Sequence, residues 1–378
     1  MSRGKGPLAG IRVIEVGHML AGPYCGLLLA DLGAEVIKVE PPEGDIARKV
    51  SPHFVGPHNA YFASLNRNKK SVVIDLASPR GRAELEELAA GAHALVTNLR
   101  PSAIRKLGLT YAALRHCNPR LVCVALTGYG LDGPYAENPA YDYVIQALTG
   151  VMALTGDPDA PPTKAGYSAV DNSAGLAAAL GLLAKIVQGQ GGQVDVAMYD
   201  VMLSQLNYLA GAALNTGEVV QRLANSSHPY MVPAQIFPTG DGWLTLFITH
   251  DKFWRKFCRE VGKPEWETDP VFATMASRRS NRARVLAAIG EVLRTASAAE
   301  WTRRLAPLGV VASEVGTLQE ALESPLAASR GLVVPLGGPD SGLRAVASPF
   351  KIDGWQPEYG LPPLLDQHRE QVLGKACA

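Results

Sequence analysis

Paired cysteines, long apolar runs and an excess of charge of either sign are all missing from this 378-residue chain. Its five cysteines, Cys25, Cys117, Cys123, Cys258 and Cys377, are scattered, and none forms a Cys-x-x-Cys pair. An odd number cannot all pair internally, so they read as reduced thiols of a cytoplasmic protein. No apolar run reaches the roughly 18 residues that suggest a membrane span, and the start, Met-Ser-Arg-Gly-Lys-Gly-Pro, has no apolar signal core. Neither a membrane nor a nucleic acid is expected as a partner. The 36 basic and 35 acidic residues leave a formal net charge of +1, whereas a general nucleic-acid binder carries a basic excess or stripe. The eight histidines never take the His-Glu-x-x-His spacing of a metal site, and neither a Gly-x-Ser-x-Gly elbow nor a Walker loop is present. No metal is expected. Internal repeats and low-complexity tracts are also missing.

What remains is a globular composition, 47% hydrophobic with 38 glycines and 27 prolines, long enough for about two to three domains. The first 40 residues read as a βαβ unit: a β-branched strand over 11–17, a helix opened at Pro23 and ended by Gly33, and a strand over 35–40 stopped by Pro41 and Pro42. Strands over 71–76, 93–98 and 121–126 alternate with helices over 79–91 and 109–116. Helical patterns follow over 143–155 and 172–187, then a strand over 193–197 and a helix over 198–216. This alternation predicts an α/β fold with a large doubly wound, Rossmann-like domain, in which ligands sit beyond the carboxyl ends of the strands. From about Gly217 the character changes to antiparallel strands within 230–249, three helices, a strand over 310–315 and a short helix. We divide the chain into a large domain over 1–224, a smaller α+β domain over 225–325, and a segment over 326–378 that returns to the first.

Gly128-Tyr-Gly-Leu-Asp-Gly133 fits the dinucleotide pattern Gly-x-Gly-x-x-Gly, but Pro134 follows where a helix should begin. His53 and His58, in a Pro/Gly-rich loop, read as solvated. Lys69-Lys70 and Arg278-Arg279 read as solvated surface, with service to phosphate as the alternative for the lysine pair. A glycine-containing loop runs from Lys164 into a small-residue helix, with Asp171 at the helix mouth. Asp171 has two readings: an N-cap, or a carboxylate with chemistry to perform.

Several stretches, taken in order, resemble the class III coenzyme A transferase family. They are Leu8-Ala-Gly-Ile-Arg-Val-Ile-Glu-Val, Leu20-Ala-Gly-Pro23, Leu32-Gly-Ala-Glu-Val-Ile-Lys-Val-Glu40, Gly44-Asp45, Leu65-Asn-Arg-Asn-Lys-Lys-Ser71, Thr97-Asn-Leu-Arg-Pro101, Asn118-Pro-Arg-Leu121, Gly128-Tyr-Gly, Asp171 with its helix, and Gly191-Gly-Gln-Val-Asp-Val-Ala-Met-Tyr-Asp200. The resemblance implies that Asp171 is the nucleophile of a ping-pong exchange between an acyl-CoA and a free carboxylic acid. Coenzyme A enters as a thioester substrate, and no cofactor is bound. A helix N-terminus is expected to keep the Asp171 carboxylate ionised. Met19, Leu20, Ala21, Ile74, Ala77, Asn98, Leu99 and Arg100 match family contacts to CoA, and Lys106 stands where relatives have a phosphate-binding arginine. Pro41 departs from relatives that place an arginine beside the adenine, with Lys38 as the candidate replacement.

The same fold carries acyl-CoA racemases, whose catalytic histidine precedes an aspartate. Here that position is Tyr141, followed by Asp142, and an unperturbed tyrosine is a poor base at neutral pH. The resemblance thus favours transfer over racemisation, with a non-catalytic CoA-binding protein as a third reading. Tyr141 is expected to contact substrate or CoA, with Asp142 assisting. Arg48 is a candidate partner for the second carboxylate of a small dicarboxylic acid, and His228 and Gln235 are candidates to face the acyl group. Succinyl-CoA is the candidate donor. An interlocked homodimer is also implied by the resemblance.

Overall fold

The computed structural model describes residues 6–374, so Cys377 lies outside the described residues. Two compact units divide the chain. The first runs through Thr149, takes up again at Gly166–Asn207, and resumes at Leu322; the second is Gly150–Ala165 with Tyr208–Ala321.

The first unit is built on six parallel strands: β1 (Arg12–Val16), β2 (Glu35–Glu40), β3 (Lys70–Val73), β4 (Ala94–Thr97), β5 (Val122–Thr127) and β6 (Gly192–Ala197). They lie in the order β3-β2-β1-β4-β5-β6. The strands are short Val/Ile/Leu/Ala runs because both faces are covered. On one face Ile14, Ile37, Leu95 and Cys123 pack against Leu85, Ile104 and Leu114, which come from α3 (Pro79–Ala90), α4 (Pro101–Lys106) and α5 (Tyr111–Leu114). The opposite layer includes α1 (Ala21–Asp31) and the 20-residue α7 (Ala169–Gln188). The unit also contains α2 (Ala60–Asn66), α6 (Asp142–Leu148) and α8 (Met198–Gln205).

The direction of winding reverses between β1 and β4, so the loops beyond their carboxyl ends part and leave a crevice. Asn98 spans it, accepting the His18 N–H and donating to the His18 carbonyl, both at 3.0 Å. Only glycine fits beneath this clamp: a Cβ on Gly17 or Gly22 would lie 2.5 or 2.8 Å from Asn98 Oδ1. Helices α1 and α7 approach just as closely. A Cβ on Gly175 would stand 2.8 Å from the Ala21 carbonyl oxygen, and Ala174, Ala178 and Leu182 fill the same buried side of α7. Among the described residues α7 alone is long and apolar enough to cross a membrane, with a mean hydropathy of 1.4; it is in part a core helix.

The second unit holds an antiparallel sheet of β7 (Ala234–Pro238), β8 (Trp243–Phe247) and β9 (Val311–Glu314), in the order β9-β8-β7. Helices Asp251–Glu260, Arg282–Leu293 and Ala298–Leu305 contribute Trp254, Phe257, Ile289 and Trp301 to its core. Arg278 is not a solvated cation. It is fully buried, donates to the Val232 and Phe272 carbonyls and to Asp251, each at 2.9 Å, and lies 4.5 Å from the Trp254 ring centroid. Its donors are spent on backbone and carboxylate oxygens, which makes burial of a guanidinium tolerable.

Two helices expected to be continuous are split. The pattern over 143–155 is interrupted at Gly150, whose φ of 84° is left-handed and ends regular helix. The pattern over 198–216 divides into α8 and a helix at Asn207–Thr216.

Candidate active site

Asp171 is the third residue of α7, and Ser168, not Asp171, is the N-cap. Neither side chain serves the first turn. That task falls to Asp142, at the start of α6, whose Oδ1 accepts the Val170 N–H at 2.8 Å. The second Asp142 oxygen accepts from Gln146 Nε2 at 2.6 Å. Asp142 is thus buried and committed to the backbone of α7.

This changes the electrostatics expected of a helix N-terminus. Burial first, and the Asp142 carboxylate second, push the Asp171 pKa up to about 7. No hydrogen bond contributes to lowering it. A helix dipole is worth about 0.3–1 kcal/mol at an exposed end, and here lost hydration and a neighbouring like charge outweigh it. The carboxyl group is therefore poised between its two protonation states near neutral pH, instead of being held fully ionised.

Asp171 lines a cavity of about 160 Å³ at the carboxyl end of the sheet. Met19, Leu20 and Ala21 form one wall, and Asn98, Leu99 and Arg100 another. Exposed Tyr141, the N-cap of α6, stands at this cavity and also lines a larger one of about 570 Å³. Ile74 and Ala77 line the larger one, with Met19 and Leu99 shared between the two. Lys106 lines neither; it is exposed at the end of α4. The sequence reading does not single out Tyr61, which lines the Asp171 cavity and whose pKa is raised by burial and by Asp171. Tyr61 carries no motif of its own; only the fold brings α2 beside α7.

Gly128 lines the same cavity for a packing reason. A Cβ there would meet Ala140 Cβ at 2.2 Å. The glycine-rich stretch after β5 is a turn, pinned by Gly130 N–H donating to Thr127 Oγ1 at 2.9 Å, with no helix opening from it.

Beneath the β1 loop lies a buried chain of charges. Lys38 Nζ is 2.9 Å from Glu15 and 2.8 Å from Asp45, and Lys69 Nζ is 2.7 Å from Glu15, all with fully buried side chains. Lys69 also donates to the Pro23 carbonyl and to Asn66. The expectation that Lys69 is solvated or free to hold phosphate therefore fails, and Lys38 cannot stand in beside an adenine. Burial drives the Lys38 pKa down, but Glu15 and Asp45 outweigh it and hold Lys38 above its ordinary value. Burial wins at Lys69, which falls to about 8. The network ends at the crevice: Asp45 Oδ1 accepts the Met19 N–H at 3.1 Å, steadying a residue whose φ of 61° is unfavourable for a side chain of this size.

Arg48 is occupied. Its fork grips Glu40 at 2.8 and 2.7 Å, its remaining nitrogen donates to the Pro363 carbonyl, and its guanidinium lies 3.8 Å from the Phe62 ring centroid. A substrate carboxylate would have to displace Glu40. In the second unit His228 lines a separate cavity with Gln235 and Phe247. Its Nδ1 accepts the Tyr230 and Met231 N–H groups at 3.1 and 3.2 Å, and its ring stacks on Tyr208.

Comparison with known proteins gives this arrangement a class: an α/β transferase of coenzyme A thioesters. The model of CoA-transferase family III matches residues 8–369. The acetyl-CoA:oxalate CoA-transferase of Acetobacter aceti is 34% identical, over 96% of this chain and 94% of its own. The succinate–glutarate CoA-transferase of Agrobacterium fabrum is also 34% identical, over 99% and 97%. Among solved structures, a CaiB/BaiF family protein from Brucella suis superposes with a TM-score of 0.86 at 32% identity, covering 98% of this chain and all of its own. The chain belongs to CoA-transferase family III, and it is an enzyme that transfers CoA between carboxylic acids.

Proposed function

We propose that the enzyme moves CoA from an acyl-CoA donor to a small dicarboxylic acid through a thioester on Asp171. The ionised Asp171 oxygen attacks the thioester carbonyl, and the C–S bond breaks to release CoA thiolate and leave an acyl–aspartyl anhydride. The thiolate attacks the aspartyl carbonyl, giving an aspartyl-CoA thioester and the free donor acid. The acceptor carboxylate attacks the aspartyl carbonyl next and releases the thiolate, which attacks the acceptor carbonyl and frees Asp171. No net proton is consumed, and the thioester energy is conserved through covalent catalysis.

The observation that carries this reading is the position of Asp171. It is a partly buried carboxyl group with a pKa raised to about 7, on the wall shared with the loops after β1 and β4. A carboxylate of raised pKa is the more nucleophilic, and half of it is already ionised at that pH. The loops suit a CoA thioester because they present backbone at a strand-order reversal, and Tyr141, which lines the Asp171 cavity, would contact substrate or CoA. The acids named for the two relatives, oxalate, succinate and glutarate, support a dicarboxylic substrate, and succinyl-CoA is the donor we assign. His228 is assigned to the acyl side of a site completed by a second copy in a homodimer, and the location is cytoplasmic.

The experiment is incubation with succinyl-CoA and with acetyl-CoA, each paired with oxalate, succinate and glutarate, followed by mass analysis of the Asp171 peptide. A CoA adduct on Asp171, absent from Asp171→Ala, is expected. Exchange of the donor's α-hydrogen in deuterated water without CoA transfer would show α-proton abstraction instead and overturn this reading.

A further inference from the structure

A cluster of metal-binding side chains lies at the end of the sheet opposite the crevice. Glu86 sits in the second half of α3, and His116 and Cys117 sit in the turn between α5 and β5. Cys117 Sγ is 3.1 Å from His116 Nε2, His116 Nε2 is 3.8 Å from Glu86 Oε1, and the three ligand atoms all lie within 4.8 Å of one another. We propose that Glu86, His116 and Cys117 form a zinc-class metal site with its fourth position open to solvent.

The distances fit such an ion. Ligand atoms about 2.0–2.3 Å from a tetrahedral zinc stand about 3.3–3.5 Å from one another. The sulfur–nitrogen and nitrogen–oxygen separations bracket that spacing, so small rotamer adjustments close the set. The donor chemistry fits as well: a thiolate, an imidazole and a carboxylate form a mixed soft-to-hard set suited to Zn²⁺ and ill-suited to Mg²⁺ or Ca²⁺.

The scaffold is tied down independently of any ion. Asn118, next to Cys117, donates its side-chain amide to the Ala89 and Ala92 carbonyls at 3.2 and 2.8 Å. That fixes the turn carrying His116 and Cys117 against the end of the helix carrying Glu86. The backbone N–H groups of Cys117 and Asn118 both donate to the Leu114 carbonyl. Leu85, Leu88 and Ala89, around Glu86 on α3, are core residues. The ligands therefore do not have to be gathered from mobile chain, which lowers the entropic cost of binding. Binding through sulfur requires the thiolate, so metal must expel the Cys117 thiol proton to solvent, and the affinity increases with pH.

The test uses untagged, chelator-treated protein with Co²⁺ as the spectroscopic probe and Zn²⁺ as its competitor, in a Cys377→Ser background. One Co²⁺ per chain is expected, with a thiolate-to-cobalt charge-transfer band that Zn²⁺ abolishes. Cys117→Ser should lose the band, and Glu86→Gln should keep it while weakening Zn²⁺ binding at least about tenfold. Melting curves of both variants, matched to the parent, establish that they fold. Absence of the band, its survival in Cys117→Ser, or unchanged Zn²⁺ affinity in Glu86→Gln would each overturn the proposal.

Discussion

The Asp142 carboxylate stands behind the backbone of Val170: its Oδ1 accepts that N–H at 2.8 Å, one residue before Asp171. A single buried acid thus holds the first turn of α7 in place and makes the neighbouring carboxyl group harder to ionise. Positioning and tuning of Asp171 share one cause.

The pH profile of transfer should report this. In the proposed mechanism Asp171 attacks when ionised, so kcat/KM is expected to fall about tenfold per unit as pH drops below about 7. Asp142→Asn removes the like charge but keeps an acceptor oxygen. Its acid limb should move to lower pH, raising activity at pH 6, relative to its own plateau, by up to about tenfold. An unmoved limb would mean that Asp142 acts on geometry alone.

Stability should change in the opposite sense. A carboxyl group whose folded pKa is raised costs stability once the pH exceeds its unfolded value, because the unfolded chain ionises first. Asp171→Asn is therefore expected to abolish transfer and stabilise the fold by about 1–3 kcal/mol at pH 8, a figure reduced for partial exposure. The gain should vanish near pH 4, and chemical denaturation at the two pH values measures it.

Gly175→Ala places a methyl group 2.8 Å from the Ala21 carbonyl oxygen. Helix α7 must move away from α1, at a cost of about 1–3 kcal/mol, and Asp171 moves with it. Urea unfolding should show the loss, and kcat should fall more than the stability change alone accounts for.

The paired lysines should behave differently. Lys69→Met leaves Glu15 buried with one cationic partner fewer and is expected to destabilise by about 3–5 kcal/mol. Lys70→Ala loses only a partly exposed pair with Glu35, worth less than about 1 kcal/mol. Thermal melts of the two variants side by side are the measurement.

That contrast also shows where sequence reading stops. The parallel sheet was legible because its strands are short β-branched or apolar runs, most with Gly or Pro close by, a signal local to about ten residues. The burial of Lys69 and Arg278 was not, because their partners Glu15 and Asp251 lie far away in the chain and a cation alone reads as surface. Asp171 stood out in the sequence together with the loops after β1 and β4, through the family pattern. The hydrogen bond from Val170 to Asp142 joins residues 28 positions apart, and no periodicity encodes it. The break at Gly150 was within reach, since a glycine inside a helical pattern is itself a warning.

The chain passes between its two compact units at Thr149–Gly150, Ala165–Gly166, Asn207–Tyr208 and Ala321–Leu322. No single cut yields either unit whole. During synthesis the ribosome must release the first excursion before it makes α7, and β6 comes later still. The first 149 residues emerge with a sheet that lacks an edge strand and a crevice that lacks its carboxylate. A truncated gene product would carry the loops after β1 and β4 without the carboxyl group that shares their cavity.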